Sequence, residues 1–187
     1  VEPAGGQLAN GSFEDDINGW GGDHNSNYFV DATGSPIYNS DDIFEAYDGL
    51  YGLKVWGRFD GGEINEFSQV FVTDAGNDFN LTGYVFSHPD DPIDVENSAY
   101  LSIFFYDADG VELSTSLSEL FTSATGLDMW HMLSASATSP AGTATAKVAL
   151  NYSQVNNGNG SVYWDLINLQ TSVDVHIAGC TDDTAIN

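Results

Sequence analysis

The sequence predicts an all-β protein, a jelly-roll β-sandwich of two antiparallel sheets, on three observations. Apolar residues alternate with polar ones wherever the 187-residue chain is apolar, and a period of two is the signature of half-buried strands. The alternating runs are short and divided by clusters of Gly, Pro, Asn and Asp, which punctuate strands rather than helices. No internal repeat of the size that builds solenoids or propellers is present. At 42% hydrophobic and 13% aromatic content the chain fills one core, so residues 1–170 are expected to form one sandwich and 171–187 an extra strand and tail.

Along the chain, Leu8 to Trp20 (LANGSFEDDINGW) is too short and polar to be a core element alone, and is expected to be an edge that another segment completes. GLKVWGR (52–58), SQVFV (68–72), AYLSIFFYD (99–107), TAKVALNY (145–152) and SVYWDLINLQ (161–170) read as strands. Turns are expected at Asp78-Phe79-Asn80, HPDDP (88–92), DADG (107–110), SPAG (139–142) and NNGNG (156–160). DADG lacks the third acid and the twelfth-position Glu of an EF-hand loop, which makes it a hairpin turn. Ser118 to Ser123 is the one stretch that could pass for a helical turn. After the closing strand, TSVDVHI alternates again and places Val173, Val175 and Ile177 on one face of a spare strand.

Charge narrows the partners. The chain has 28 Asp and Glu against three cations, Lys54, Arg58 and Lys147, a formal charge of -25. Such a surface repels nucleic acid and anionic membranes and suits divalent cations and a salty medium. The aromatic and β-branched content argues against disorder, and no apolar run is long enough for a membrane-spanning helix. The first residue is Val1, as expected of a mature, signal-cleaved protein or a trimmed chain. Cys180 is the one cysteine, so disulfides do not hold the fold.

Catalytic constellations are missing. His24, His88, His131 and His176 are scattered, with no His-x-x-x-His spacing and no Cys partner. Neither a Gly-x-Ser-x-Gly elbow nor a phosphate loop occurs. With 28 acids, carboxylate pairs of the glycosidase kind carry no information. The expectation is a protein that is not an enzyme.

NGSFED, GLYGLKVWGR, YLSIFFYDADG, SATSPAGTATAKVAL and GSVYWDLINL, in that order, resemble the carbohydrate-binding modules of the family 4, 9 and 22 type over roughly Leu8 to Gln170. The resemblance implies a galactose-binding-like β-sandwich, secreted or cell-surface, with a polysaccharide as ligand. It also implies a structural calcium ion (Ca2+) between the first and last strands. Glu14 and Asp165 would supply carboxylates, and main-chain oxygens near Ser12, Asp48 and Lys54 would complete the shell. Calcium takes six to eight oxygen ligands and can clamp chain-distant segments.

In members of that family the sugar stacks on aromatics. Strand parity turns Lys54, Trp56 and Arg58 outward if Leu53 and Val55 face the core, and likewise Tyr84 and Phe86, Tyr100, Phe104 and Tyr106, and Lys147 and Asn151. These residues are expected to share one face, carrying all three cations, with Trp56 stacking and Arg58 hydrogen-bonding a sugar. Few charges among the aromatics favour a neutral polysaccharide. FDGGEINEF (59–67) departs from the family where several members carry a stacking Trp, leaving Phe59 as the substitute. Trp20, Trp130 and Trp164 are assigned to the core.

A different function class follows from the spare strand. Val173, Val175 and Ile177 could complete the edge of an identical subunit, building a calcium-dependent extracellular filament or tube. The tail AGCTDDTAIN resembles segments that follow domains in secreted bacterial proteins. Sequons at Asn10, Asn80, Asn151 and Asn159 are expected to be chance.

Overall fold

The computed structural model describes residues 8–172 and the backbone of 176–177. The strands are β1 (Tyr28–Ala32), β2 (Tyr51–Trp56), β3 (Ile64–Val72), β4 (Asp78–Phe86), β5 (Ser98–Tyr106), β6 (Glu112–Leu117), β7 (His131–Thr138), β8 (Thr145–Ser153), β9 (Ser161–Thr171) and β10 (His176–Ile177). They form two antiparallel five-stranded sheets, ordered β1-β2-β9-β4-β7 and β10-β3-β8-β5-β6. Among the described residues there is no helix, so the all-β sandwich expected from the alternation is what forms.

The core lies between the sheets. Leu53 and Val55, Phe79, Leu81 and Val85, Val162 and Trp164 face Phe67 and Phe71, Leu101, Ile103 and Phe105, and Val148 and Leu150. The opening segment completes this core. Phe13 is fully buried and stacks on the buried Trp20 at 5.5 Å between ring centroids. The Asn10 amide ties the intervening turn by donating to the carbonyls of Asp15, Asp16 and Asn18, and Trp20 Nε1 donates to the Asn10 carbonyl. Trp20 and Trp164 are thus core residues as expected. Trp130 is half-buried on the opposite side of its sheet, against Phe44, Phe86 and Tyr163.

Two local expectations need correction. Asp78 to Asn80 is the start of β4, not a turn, because Phe79 and Leu81 already point inward. Ser118 to Ser123 makes no helical turn; Phe121 forms a bridge with Ala99 instead. The strands β1, β6 and β7 are strands without a clear sequence signal, and β6 (ELSTSL) is wholly exposed or half-buried. The spare strand pairs at His176 and Ile177 with Val72 and Phe71 of its own chain, along the outer edge of β3. Val173 and Val175 lie outside the described residues.

One irregularity positions a functional candidate. On β9, Tyr84 pairs with Asp165 and Thr82 with Asn168, so Leu166 and Ile167 stand opposite Gly83 alone. Leu166 adopts φ 44° in this bulge. An extra residue switches side-chain parity, which lets Trp164 and Ile167 both face the core while Asp165 points away from it. The Gly11 carbonyl accepts the Ile167 N–H at 2.8 Å, seating the N-terminal segment on the bulge.

Candidate functional site

Two constellations stand out. In the first, the bulge, the N-terminal segment and the chain entering β2 meet. Asp165 is fully buried, with Oδ2 accepting the Asp48 N–H at 2.9 Å and Oδ1 the Leu166 N–H at 2.6 Å. Glu14 Oε1 accepts the N–H groups of Leu50 and Tyr51 at 2.7 and 3.0 Å. Ser12 Oγ donates to Asp48 Oδ2 at 3.2 Å. Gly49, at φ 65°, packs so closely on the Glu14 carboxylate that a Cβ there would collide with it.

Burial pushes the Asp165 carboxyl up to about 7, only partly offset by the N–H groups of Asp48 and Leu166, and the Asp48 charge adds to the rise. None of the ion pairs among the described residues reaches Glu14, Asp48 or Asp165. A buried carboxylate beside two others without a basic partner is a site that a proton or a cation must neutralise. The donor set of Ser12, Glu14, Asp48 and Asp165 is all oxygen, which fits calcium. Among the described residues, these carboxylates do not form a group whose ligand atoms all lie within 4.8 Å, so main-chain oxygens would have to complete the shell. The Lys54 side chain points elsewhere. The residue pairs with Tyr163 in the ladder, and its Nζ lies 3.2 Å from Asp91 Oδ2.

The residues expected to bind a ligand divide between two surfaces. Parity separates inward from outward but does not say which sheet a strand joins. Trp56, Tyr84 and Phe86 lie on the outer side of the β1-β2-β9-β4-β7 sheet, whereas Phe104, Tyr106, Lys147 and Asn151 lie on the outer side of the other. The expectation of one face with three cations is therefore corrected. Arg58 is not free either: Nη1 bonds Asp23 Oδ1 at 2.6 Å and Nε bonds Asp60 Oδ1 at 3.1 Å. Phe59 sits in the adjoining loop at φ 54° and is 46% exposed.

The first outer face is largely covered by the chain itself. Residues 33–50 form a strap in which Phe44 stacks on Tyr163 at 4.4 Å and Tyr47 on Tyr84 at 3.6 Å. Phe86 and Trp130 pack on the same cluster. A Cβ on Gly52 would approach Phe44 Cζ to 2.6 Å, so glycine is what lets the strap lie flat. The strap is also tied by His88 Nε2, 3.4 Å from Asp42 Oδ2. Asp42, His88 and Asp90 cluster closely enough to hold a metal, but the Asp90 N–H donates to His88 Nδ1 at 3.2 Å. That leaves the proton on Nε2, facing Asp42, and no ring nitrogen free for a metal.

The second outer face is graded by size. Register places Leu117, Ser102, Ala149 and Ser68 in one row across β6, β5, β8 and β3. Tyr100, Asn151 and Glu66 flank it on one side; Thr115, Phe104, Lys147 and Val70 flank it on the other. Ser102, Ala149 and Ser68 are a row of small, buried side chains between flanks that carry Tyr100, Phe104, Lys147 and Glu66, a shallow trough roughly 10 Å long across three strands that ends at Leu117. Glu66 and Lys147 meet across it, Nζ to Oε2 at 2.8 Å, and Nζ also stands 4.4 Å from the Phe104 centroid. Burial pulls the Lys147 ammonium down, but the hydrogen bond and charge of Glu66 outweigh it and the net shift is upward. Burial and the Glu66 charge push the Tyr100 phenol up. Asn151 is buried, its amide donating to the Tyr100 carbonyl and to Ser102 Oγ at 2.8 Å, and it shapes the floor. Phe104 and Tyr106 stack at 6.3 Å along β5. Glu66 was missed in the sequence because INEF showed no motif; its pairing with Lys147 depends on which strands are neighbours.

The fold is that of carbohydrate-binding modules. Family 16 Carbohydrate Binding Module-2 matches with a TM-score of 0.58 at 19% identity, over 87% of this chain and 98% of that one. The CBM22-1 xylan-binding domain of Paenibacillus barcinonensis Xyn10C matches at 0.55 and 17% identity, over 91% and 97%. A Stig cyclase from Fischerella sp. TAU, solved with an indole compound, matches at 0.62 and 14% identity, over 89% and 96%. At these identities the likeness is one of fold, and this sandwich serves both binding modules and a cyclase. No protein-family model and no curated protein matches the sequence.

Proposed function

We propose that the protein is a secreted, non-catalytic carbohydrate-binding module whose ligand, a neutral polysaccharide, lies in the trough on the outer face of the β10-β3-β8-β5-β6 sheet. The trough itself carries this reading. Its low floor lets a flat chain lie across the half-buried rings of Tyr100, Phe104 and Tyr106, and the Glu66 carboxylate and Lys147 ammonium match sugar hydroxyls. Lys147 is neutralised by Glu66, so the trough has no spare positive charge for a uronate. The formal charge of -25 further opposes anionic polymers. A calcium ion at Ser12, Glu14, Asp48 and Asp165 would brace the sandwich from the other sheet, relieving the buried carboxylate.

Titration calorimetry with soluble xylans and glucans tests the reading. Tyr100→Ala and Phe104→Ala are expected to weaken binding by about tenfold each, on the order of 1 kcal/mol or more per lost stacking face. Trp56→Ala should leave affinity unchanged, because Trp56 belongs to the other sheet. Binding that survives both trough substitutions and vanishes with Trp56→Ala would move the site to the opposite face.

A further inference from the structure

Lys54 is an anomaly of placement. A chain with 28 acids and three cations gains most from cations at its surface, yet Lys54 is 2% exposed and is among its largest fully buried side chains. Its Nζ lies 4.4 Å from the Trp56 ring centroid, 5.1 Å from that of Tyr163 and 6.0 Å from that of Tyr38. Under these rings its ion-pair partner is Asp91, also buried, with Oδ2 at 3.2 Å. Ser161 Oγ donates to the same Oδ2 at 2.6 Å and its N–H to the Asp91 carbonyl at 3.2 Å, fixing the carboxylate in place. The proposed glycan trough makes no use of this pair.

We propose that Lys54 and Asp91 form an intramolecular amide bond, a covalent cross-link from β2 to the segment following β4. Both residues are buried, and the reaction begins with transfer of one proton from the ammonium to the carboxylate across the ion pair. A desolvated, neutral lysine is a nucleophile, and here its Nζ is held beside the carboxyl it would attack. The Nζ lone pair adds to Cγ, the Cγ–Oδ2 bond breaks, and that oxygen departs as water with the carboxyl proton and one proton from nitrogen. Nothing is oxidised or reduced, and no co-reactant is required. Ser161, already bonded to Oδ2, stands by the leaving oxygen.

The intact mass of the purified full chain, measured after denaturation, is the test. The cross-linked chain is expected to weigh about 18 Da less than its sequence mass, one water, and chymotryptic digestion should yield a branched peptide joining Lys54 to Asp91. Lys54→Arg should restore the full mass. Asp91→Asn should lose ammonia in place of water, about 17 Da, since the amide nitrogen then leaves. A wild-type chain of full sequence mass overturns the proposal even if no variant folds. So does a loss of water that persists in Lys54→Arg, which would mark a cyclised Asn or Asp elsewhere.

Discussion

Arg58 is paired twice, once within its own loop and once with a distant segment. Its guanidinium bonds Asp23 and Asp60, and the hydrogen bond from Arg58, followed by that from the Gly62 N–H, holds the Asp60 carboxyl down at about 2. A carboxylate with a depressed folded value contributes stability above its unfolded value and loses it as pH falls through the folded one. The anchoring of the 58–62 loop should therefore persist through mild acid and fail only near pH 2. Carbon-detected NMR of the Asp60 carboxyl should show that midpoint, and Arg58→Gln should return it toward the 3.8 of a free Asp. A midpoint near 3.8 in the unmodified chain would mean that the ion pair does not persist in solution. At this scale the sequence was legible in type and not in partner. Glu14, Asp48 and Asp165 could be nominated from a resemblance; the Asp48 N–H binds Asp165 and Glu14 binds the neighbouring Leu50 and Tyr51 N–H groups, while the three carboxylates do not close to ligand distance. The pairing of Arg58 could not be read, because Asp23 lies far from it in sequence.

Among the elements, β9 shows what alternation can and cannot convey. SVYWDLINLQ reads as one strand, and it is one. The bulge at Leu166 is invisible to a period-two reading, yet it alone allows Trp164 and Ile167 to face inward with Asp165 between them facing out. The strap of residues 33–50 was likewise silent, since it has no periodicity and its aromatics find partners only after folding. Phe44 is 1% exposed and stacked on Tyr163, so Phe44→Ala should cost about 3 kcal/mol or more. Urea denaturation measures that loss. Carbohydrate affinity in the same variant should stay within about twofold of the original, because the strap and the trough lie on opposite sheets and distant sites act independently. A variant as stable as the parent would show that the strap is loosely held.

At the level of the whole molecule, charge and calcium act together. The sandwich keeps a formal charge of -25 compact while leaving a buried carboxylate at the Asp165 bulge without a basic partner among the described ion pairs. If calcium occupies that clamp, ion at about 100 times its Kd adds ~2.7 kcal/mol, a rise in Tm of roughly 5–10 °C for a chain of this size. Differential scanning calorimetry in calcium and in chelator should show the shift, and Asp165→Asn should abolish it. Equal Tm values in calcium and chelator for the parent chain would remove calcium from the account. The fold class was legible throughout because sheets write their burial into alternation. The division of outward residues between two faces was not, because strand order is a property of the assembled sandwich.

The same economy of basic residues governs how the protein meets a protease. Trypsin cuts only after Lys or Arg, and this chain offers it Lys54 inside β2, Arg58 in the loop beyond and Lys147 inside β8, each held in an ion pair. Two of the three scissile bonds lie within ladder-paired strands, and a protease needs an extended, unpaired segment. Digestion should therefore be slow in the folded protein, and the order in which the few fragments emerge would report which sheet opens first.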